Sequence, residues 1–189
     1  MKRLAVVVVA LAMLAVACSS ALPLDEYTEL LTAATDAYVV ESQNLTYDYQ
    51  SGVEDGAREI VDSGADDAAE QVLDLARQET VAYLALLGDA MFRYHEALEA
   101  LSPPDAVAEE HELFTDSVGA VLDALPAAKQ DVENAESFSE MQQALAASNF
   151  ADGQLRWTGT CSSLEQAITG AGQAVNLRCV KPTDPGPTP

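Results

Sequence analysis

Residues 91–114 read MFRYHEALEALSPPDAVAEEHELF, and this stretch decides the fold class. Before the two prolines, apolar side chains recur every three or four residues and form one helical stripe: Met91, Tyr94, Leu98 and Leu101. After the prolines the same spacing returns in Val107, His111 and Phe114. Proline ends one helix and is tolerated in the first turn of the next. The stretch therefore predicts two amphipathic helices packed as an antiparallel hairpin.

The chain before this hairpin also has helical spacing. A first helix is predicted to begin at Pro23, with acidic residues in its first turn, and to fray where Gly52 and Gly56 interrupt the pattern. A second is predicted over residues 57–101, with a weak point at residues 63–64. Glycine is the residue that most often breaks a helical pattern, which is why these positions are taken as boundaries.

The chain after the hairpin predicts further helices. The third helix is expected to end at Pro126, and a polar stretch follows. A fourth is expected to start at Ser137, because Ser137 and Glu140 have the spacing of a capping box. A last helical face follows a bend at residues 152–153 and carries Trp157, Cys161, Leu164 and Ile168. Together these patterns predict an all-α, up-and-down bundle of four to five helices over residues 25–180.

The first residues have the pattern of an export signal. Met1, Lys2 and Arg3 precede an uncharged run of 14 residues, Leu4 to Ala17. A membrane-spanning helix needs about 20 residues, so an uncleaved membrane anchor is the weaker alternative. The stretch Ala15-Val16-Ala17-Cys18 resembles the lipobox of bacterial lipoproteins. That resemblance implies a signal peptide over residues 1–17, removed during export, and a diacylglyceryl group on Cys18.

The lipobox resemblance also implies where the domain sits. Residues 18–24 would form a short tether to the outer face of the cell membrane, since two acyl chains anchor a protein stably. Residues 181–189, rich in proline and threonine, are expected to be a disordered tail.

The cysteines divide into one lipidated residue and one pair. With Cys18 acylated, Cys161 and Cys179 remain, and an even pair in an exported chain predicts a disulfide. Cys161 shares a helical stripe with Trp157, whereas Cys179 alternates with Asn176 and Arg178 in a short extended segment. The bond is therefore expected to pin the C-terminal segment onto the last helix.

The composition is strongly acidic. Nine Lys and Arg residues face 31 Asp and Glu residues, and removal of Lys2 and Arg3 with the signal takes the charge from −22 to −24. Nucleic acid is excluded as a partner, because its binding requires Lys and Arg to neutralise phosphates. The charge is typical of a soluble or salt-adapted surface, with attraction for cationic partners or divalent ions as the alternative.

The sequence contains none of the short motifs of common enzymes. It lacks GxSxG, HExxH, a glycine-rich phosphate loop and an EF-hand loop. Neither catalysis nor a cofactor is expected. The acidic run at residues 109–112 is interpreted as a solvated face, because adjacent residues on a helix point apart.

Two histidines suggest a metal site as the alternative. His95 lies eight residues before Pro103 and His111 eight residues after it, so a symmetric hairpin would bring the rings to one level. Glu99, one turn after His95, would supply a carboxylate. Two histidines and a carboxylate suit Zn²⁺ or Cu²⁺. Core histidines bonded to tyrosine or to the backbone are the competing interpretation.

Four tyrosines fall on inward faces: Tyr27, Tyr38, Tyr83 and Tyr94. They indicate either a bundle core with hydroxyls at its rim or the lining of a ligand groove.

A broader resemblance covers most of the chain after the signal. The lipobox, PLDEY at residues 23–27, LSPPDAVAEEHELF and the late cysteine pair with NLRC are similar to a group of helical actinobacterial lipoproteins. The resemblance implies a lipid-anchored, helical envelope protein and carries no activity. The expected function is thus a non-enzymatic module that binds an envelope protein or a small ligand.

Overall fold

The computed structural model describes residues 21–147 and 149–179, and these form five helices. The predictions for the signal peptide, for Cys18 and for residues 181–189 lie outside the described residues. The helices are α1 (Leu24–Asp62), α2 (Ala68–Glu99), α3 (Ala108–Glu133), α4 (Phe138–Ala147) and α5 (Asn149–Gly170). None of those in the described ranges is both long and apolar enough to cross a bilayer. The predicted all-α bundle is confirmed.

The helices pack in chain order as an up-and-down bundle. Contacts between α1 and α2 run in opposite directions along the two helices: Thr35 meets Tyr94, and Thr46 meets Tyr83. The neighbours α2 and α3 pack in the same way, as do α3 and α5, while the short α4 lies against α3 and α5. In the described residues, α1 and α5 have little backbone contact and form the two edges of the bundle.

The core is a continuous set of apolar side chains from all of the long helices. Leu31, Leu87, Phe114, Val118 and Leu164 are at most 1 % exposed. Burial of one such side chain stabilises the fold by about 1.5–3 kcal/mol. The predicted stripe around the hairpin is confirmed, because Met91, Tyr94, Leu98 and Val107 are also buried.

The helix boundary predicted at Gly52 and Gly56 is wrong, whereas the weak point predicted at residues 63–64 is confirmed. The first helix continues through both glycines to Asp62, and the break falls at residues 63–67. A methyl group on Gly56 would lie 2.7 Å from a Leu75 side-chain carbon, and one on Gly52 would lie 3.4 Å from a Glu79 oxygen. These glycines therefore allow α2 to approach closely, and the packing offsets their low helix propensity.

Helix α3 also runs further than its proline suggests. It includes Pro126 and ends at Glu133. Pro126 is on the exposed side, whereas Ala128 and Val132 of the following turns are fully buried. The packing of Ala128 and Val132 sustains helix α3 beyond Pro126, although proline lacks the backbone N–H for one helical hydrogen bond.

The capping box before α4 is confirmed. The Glu140 backbone N–H donates to Ser137 Oγ over 3.2 Å, and the Glu136 N–H donates to Glu140 Oε2 over 2.7 Å.

The bend predicted at residues 152–153 of the last helix is wrong. Helix α5 runs without interruption through Asp152 and Gly153. Gly153 is buried against Val121, where a methyl group would lie only 3.0 Å from a side-chain carbon.

Candidate functional site

A short non-helical segment follows α5 and folds back across the bundle. Residues 171–179, here called the strap, contain the predicted extended segment. The Cys161–Cys179 disulfide is confirmed, with the two Cα atoms 5.6 Å apart. Leu177 is 1 % exposed, while its neighbours Asn176 and Arg178 face solvent. The disulfide and one buried leucine therefore fix the strap to the bundle.

The polar contacts of the strap are sparse. Apart from the turn that ends α5, the polar contacts that hold the strap are those of Arg178. The Arg178 backbone N–H donates to Asn176 Oδ1 over 2.9 Å, and the Arg178 side chain pairs with Asp36 of α1 at 3.3 Å. Arg178 has a φ of 48°, in the left-handed region. The strap thus bridges the two edge helices, joined covalently to α5 and by an exposed ion pair to α1.

A cavity of about 510 Å³ lies where α1 and α5 separate. Helix α1 lines it from Thr35 to Gln50, α5 lines it with Trp157, Thr158 and Cys161, and the strap lines it with residues 176–179. We call this cavity the α1–α5 cleft. Its volume is within the range of small-molecule sites, roughly 300–1,000 Å³.

The inner wall of the α1–α5 cleft is a cluster of aromatic rings. Tyr38 and Tyr94 are stacked, with ring centroids 4.8 Å apart and planes 13° apart. Trp157 lies 5.6 Å from Tyr38, and Phe114 meets the Tyr94 ring edge to face at 6.3 Å. Stacked and edge-to-face ring pairs of this kind each stabilise the packing by about 0.5–1.5 kcal/mol beyond their burial.

Two tyrosine hydroxyls in this wall differ in their hydrogen bonding. The Tyr94 hydroxyl lies 3.0 Å from Thr35 Oγ1. The Tyr38 hydroxyl is shielded from solvent and has no hydrogen-bond partner among the described residues. Burial is the main cause that raises the pKa of Tyr38, and the nearby Tyr83, Tyr94 and Glu41 raise it further. The side chain is therefore a neutral hydroxyl at physiological pH. An unpaired buried hydroxyl costs about 1–3 kcal/mol.

The outer rim of the α1–α5 cleft is polar and uncharged. Ser42, Gln43, Thr46 and Gln50 line it along α1. The Ser42 and Thr46 hydroxyls donate to carbonyls of their own helix, and Thr46 Oγ1 also lies 3.2 Å from the Tyr83 hydroxyl. The lone pairs that remain on the two oxygens can accept hydrogen bonds. Of the described residues that line the cleft, Arg178 is the one charged side chain, and it is paired with Asp36.

The two histidines do not pair, which corrects the prediction. His95 Nδ1 lies 3.7 Å from Glu99 Oε2, as expected, and its Nε2 packs against Gly119, where a methyl group would lie 3.0 Å away. His111 is buried elsewhere, with Nδ1 2.9 Å from the Tyr27 hydroxyl. His95 therefore meets α3 at Gly119, which is eight residues beyond His111. This corresponds to about 12 Å along the helix at 1.5 Å per residue, too far for the two rings to pair.

The direction of helical side chains explains this error. Side chains lean toward the N-terminus of their own helix. In an antiparallel hairpin, His95 on α2 therefore leans away from the turn, and His111 on α3 leans toward it. Residues equidistant from Pro103 consequently diverge.

The predicted metal site is wrong as well. Residues 21–147 and 149–179 contain no group of three His, Cys, Asp or Glu side chains that could hold a metal ion. His95 and Glu99 are left as a pair, and His111 has tyrosine and backbone partners. Burial lowers the pKa of His111, although a hydrogen bond to the Leu98 backbone opposes this effect.

The sequence pointed to some residues of the α1–α5 cleft and missed others. Tyr38 and Tyr94 belong to the predicted tyrosine set and line the cleft. Tyr27 is a core residue, and Tyr83 bonds to the lining residue Thr46 without lining the cleft itself. The polar stripe on α1 and the strap as a wall were not predicted. The available signal was the series Thr35, Ser42 and Thr46 on one helical face, at spacings that would ordinarily be apolar.

Comparison with protein-family models, with curated proteins and with solved structures found no match for the chain. The resemblance to helical actinobacterial lipoproteins therefore stays a prediction from the sequence. The geometry described above is the basis for any functional conclusion.

Proposed function

We propose that this protein is an exported, lipid-anchored envelope protein that binds a small molecule in the α1–α5 cleft, without catalysing a reaction. The observation that carries the proposal is the cleft itself, which combines an aromatic wall with a rim of hydroxyl and carboxamide side chains. Small-molecule sites typically combine an apolar concave surface with a few polar groups of this kind. The lipid on Cys18 would hold the domain at the outer face of the membrane.

The architecture of the bundle supports binding over a purely structural role. An ordinary four-helix bundle closes by packing its first helix against its last. Here the described parts of α1 and α5 have little backbone contact, although the Tyr38 and Trp157 rings meet, and the strap covers only part of the gap. The described parts of the cleft contain no histidine, carboxylate or unpaired cysteine that could serve as a nucleophile or general base, so binding fits the lining better than catalysis.

The binding proposal is tested by native mass spectrometry of the protein isolated from its own envelope. We expect a non-covalent adduct that is released by organic solvent. Thr158→Phe places a ring in the α1–α5 cleft and should abolish the adduct. Thr169→Phe is the matched control, because Thr169 is exposed on the same helix and does not line the cleft. An adduct that survives in Thr158→Phe, or the absence of any adduct in the native protein, contradicts the proposal.

The lipid anchor is tested separately by mass spectrometry of the N-terminus. We expect a chain that begins at Cys18 and carries a diacylglyceryl mass. Cys18→Ser should leave an uncleaved precursor or release the domain from the membrane. A mature protein that still begins at Met1 contradicts the anchor and leaves the test of the cleft unaffected.

A further inference from the structure

We propose that the outer part of the α1–α2 hairpin is the docking surface for a basic amphipathic helix of a partner protein. This part consists of residues 52–75, and we call it the arm. It is separate from the α1–α5 cleft, whose lining on α1 ends at Gln50. The inference goes beyond the proposed binding of a small molecule and does not depend on it.

The arm extends beyond the other helices of the bundle. Arg77 Nη1 of α2 donates to the carbonyl of Ala135, which lies just past the end of α3. Helix α5 begins at Asn149, and near its start Gly153 packs against Val121, well before the end of α3. The described part of α4 packs against α3 and α5. In the arm, α1 and α2 therefore pack chiefly against each other.

The apolar stripes of both helices continue into the arm and lose their cover there. The stripe of α1 is buried as far as Ser42 and that of α2 from Ala76 onward, and none of the residues 43–75 is buried. At the same helical spacing, the stripes continue in partly exposed side chains: Val53, Ala57 and Ile60 on α1, and Leu73 on α2. Beside them, Val61 is 62 % exposed. A third helix laid along the arm would bury this surface, as α3 and α5 cover the stripes within the bundle.

The surface around these stripes is acidic. The arm contains eight acidic residues and one basic residue, Arg58. Arg77 adds a second cation at the base of the arm, and both arginines are already paired with carboxylates of the arm. Glu59, Asp62 and Glu70 are exposed and form no ion pair with any described residue. An apolar stripe flanked by unpaired carboxylates is complementary to a helix whose apolar face is bordered by Lys and Arg.

The same local charge disfavours the other occupants of such a face. Two arms from two copies of the chain would bring two sets of unpaired carboxylates together, which costs free energy. Anionic lipid head groups would be repelled for the same reason. The close approach of α1 and α2 at Gly52 and Gly56 gives the arm its shape without a partner, so the stripe is presented in advance of binding.

Three synthetic peptides test the chemistry of the partner. Each has about 14 residues, or roughly 21 Å as a helix, which exceeds the length of α1 in the arm. The first contains leucine and lysine at helical spacing, the second has glutamate in place of lysine, and the third alternates leucine and lysine, so that its helix has no apolar face. By calorimetry, we expect the first to bind at least tenfold more tightly than the other two, and less tightly as salt is added. Equal binding of the second or third peptide, or no binding of the first, overturns the inference.

Matched charge variants locate the binding on the arm. Glu59→Gln/Glu70→Gln removes two exposed carboxylates from the arm and should weaken binding of the leucine–lysine peptide about fivefold. Glu29→Gln/Glu112→Gln removes two exposed carboxylates from the remainder of the bundle and should have less than a twofold effect. Equal weakening by the two double variants would mean that the peptide responds only to the total charge, and would overturn the choice of surface.

A second pair of variants tests the apolar stripe. Val61→Ser should weaken the peptide severalfold while the melting temperature stays the same, because Val61 is largely exposed in the unbound protein. Val40→Ser is the matched control, since Val40 is 54 % exposed on the same helix outside the arm. Equal affinities in the two variants overturn the role of the stripe.

Two further measurements separate this inference from its alternatives. Sedimentation velocity should show a monomer, and a dimer that Val61→Ser dissociates would make the occupant a second copy and overturn the inference. Thr158→Phe, which fills the α1–α5 cleft, should leave peptide affinity unchanged. Peptide binding lost in Thr158→Phe would place the peptide in the cleft instead of on the arm, whereas loss of the native adduct alone concerns only the proposed small-molecule function.

Discussion

Tyr27 and Tyr38 lie three turns apart on one face of α1, and their hydroxyls have opposite surroundings. The Tyr27 hydroxyl bonds to His111 at 2.9 Å, in a region where α1 is covered by the α2–α3 hairpin. The Leu22 N–H also donates to the Ser102 carbonyl there, at 2.9 Å, which ties the start of α1 to the hairpin turn. The Tyr38 hydroxyl has no partner within the described residues, beside the α1–α5 cleft, where the Tyr38 and Trp157 rings meet although the two helix backbones have little contact.

The comparison separates a residue that stabilises the fold from one that lines the proposed site. At Tyr27 the buried hydroxyl is paired, which is the usual condition of a protein interior. At Tyr38 the described residues leave a cavity and an unpaired donor, both of which cost stability. The proposed binding function would account for this second region, because a ligand site requires a cavity.

Loss of the disulfide should have the largest effect, with a global part and a local part. The bond closes a loop with a sequence separation of 18, for which the chain-entropy model gives about 3 kcal/mol. We expect Cys161→Ser/Cys179→Ser to lower the free energy of global unfolding by about that amount and, in addition, to open the strap locally, so that strap amides exchange through local opening. Amides near Tyr27 should lose no more protection than the global decrease explains. Local opening near Tyr27, or a strap that exchanges only by global unfolding, would contradict the separation of the two regions.

The two tyrosine hydroxyls should differ in their effect on stability. Tyr27→Phe leaves His111 Nδ1 buried without its partner and should cost about 1–3 kcal/mol. Tyr38→Phe removes a hydroxyl that is unpaired among residues 21–147 and 149–179, so it should cost nothing or stabilise the protein. Urea denaturation of both variants measures the difference. Equal destabilisation would show that Tyr38 has a structural partner and that the two regions are alike.

The stability of the region around Tyr27 should also depend on pH, through His111. Burial lowers the pKa of His111 below its ordinary value of 6.5, so the folded protein holds this ring neutral. The unfolded chain binds a proton as the pH falls through about 6.5, and stability should therefore decrease below that pH until the folded pKa is reached. Above it, the contribution is fully present.

The experiment compares urea unfolding between pH 7.5 and 5.5 for His111→Gln and its parent, both in a His95→Gln background that removes the other histidine. We expect a shallower dependence on pH in His111→Gln. Identical slopes would mean that His111 titrates alike in the folded and unfolded chains.

The helical stripes could be predicted because apolar periodicity is a local property. Met91, Leu98 and Phe114 are buried as their spacing indicates. The capping box at Ser137 and the Cys161–Cys179 bond also depend on short patterns, and both are present. The glycine boundaries failed because Gly52 and Gly56 are selected for contact with α2, which lies far away in sequence.

The cleft could be predicted only in part. Tyrosine positions were visible, but whether α1 and α5 meet depends on the packing of the entire bundle. The histidine pairing failed because side-chain direction, and not distance from the turn, determines which residues meet across a hairpin. The unpaired Tyr38 hydroxyl had no sequence signature, since Tyr27 occurs in the same periodic pattern.

The smallest effect should come from the ion pair that links the strap to α1. Arg178 and Asp36 are 51 % and 46 % exposed, and such pairs contribute at most about 1 kcal/mol. Arg178→Gln should therefore leave global stability nearly unchanged and still raise amide exchange in the strap severalfold, because few other polar contacts hold this segment. Arg58→Gln is the matched control, with the same loss of charge from an exposed pair on α1 away from the strap. If both variants leave strap exchange unchanged, the disulfide and Leu177 alone fix the strap, and the α1 side of the cleft is not coupled to it.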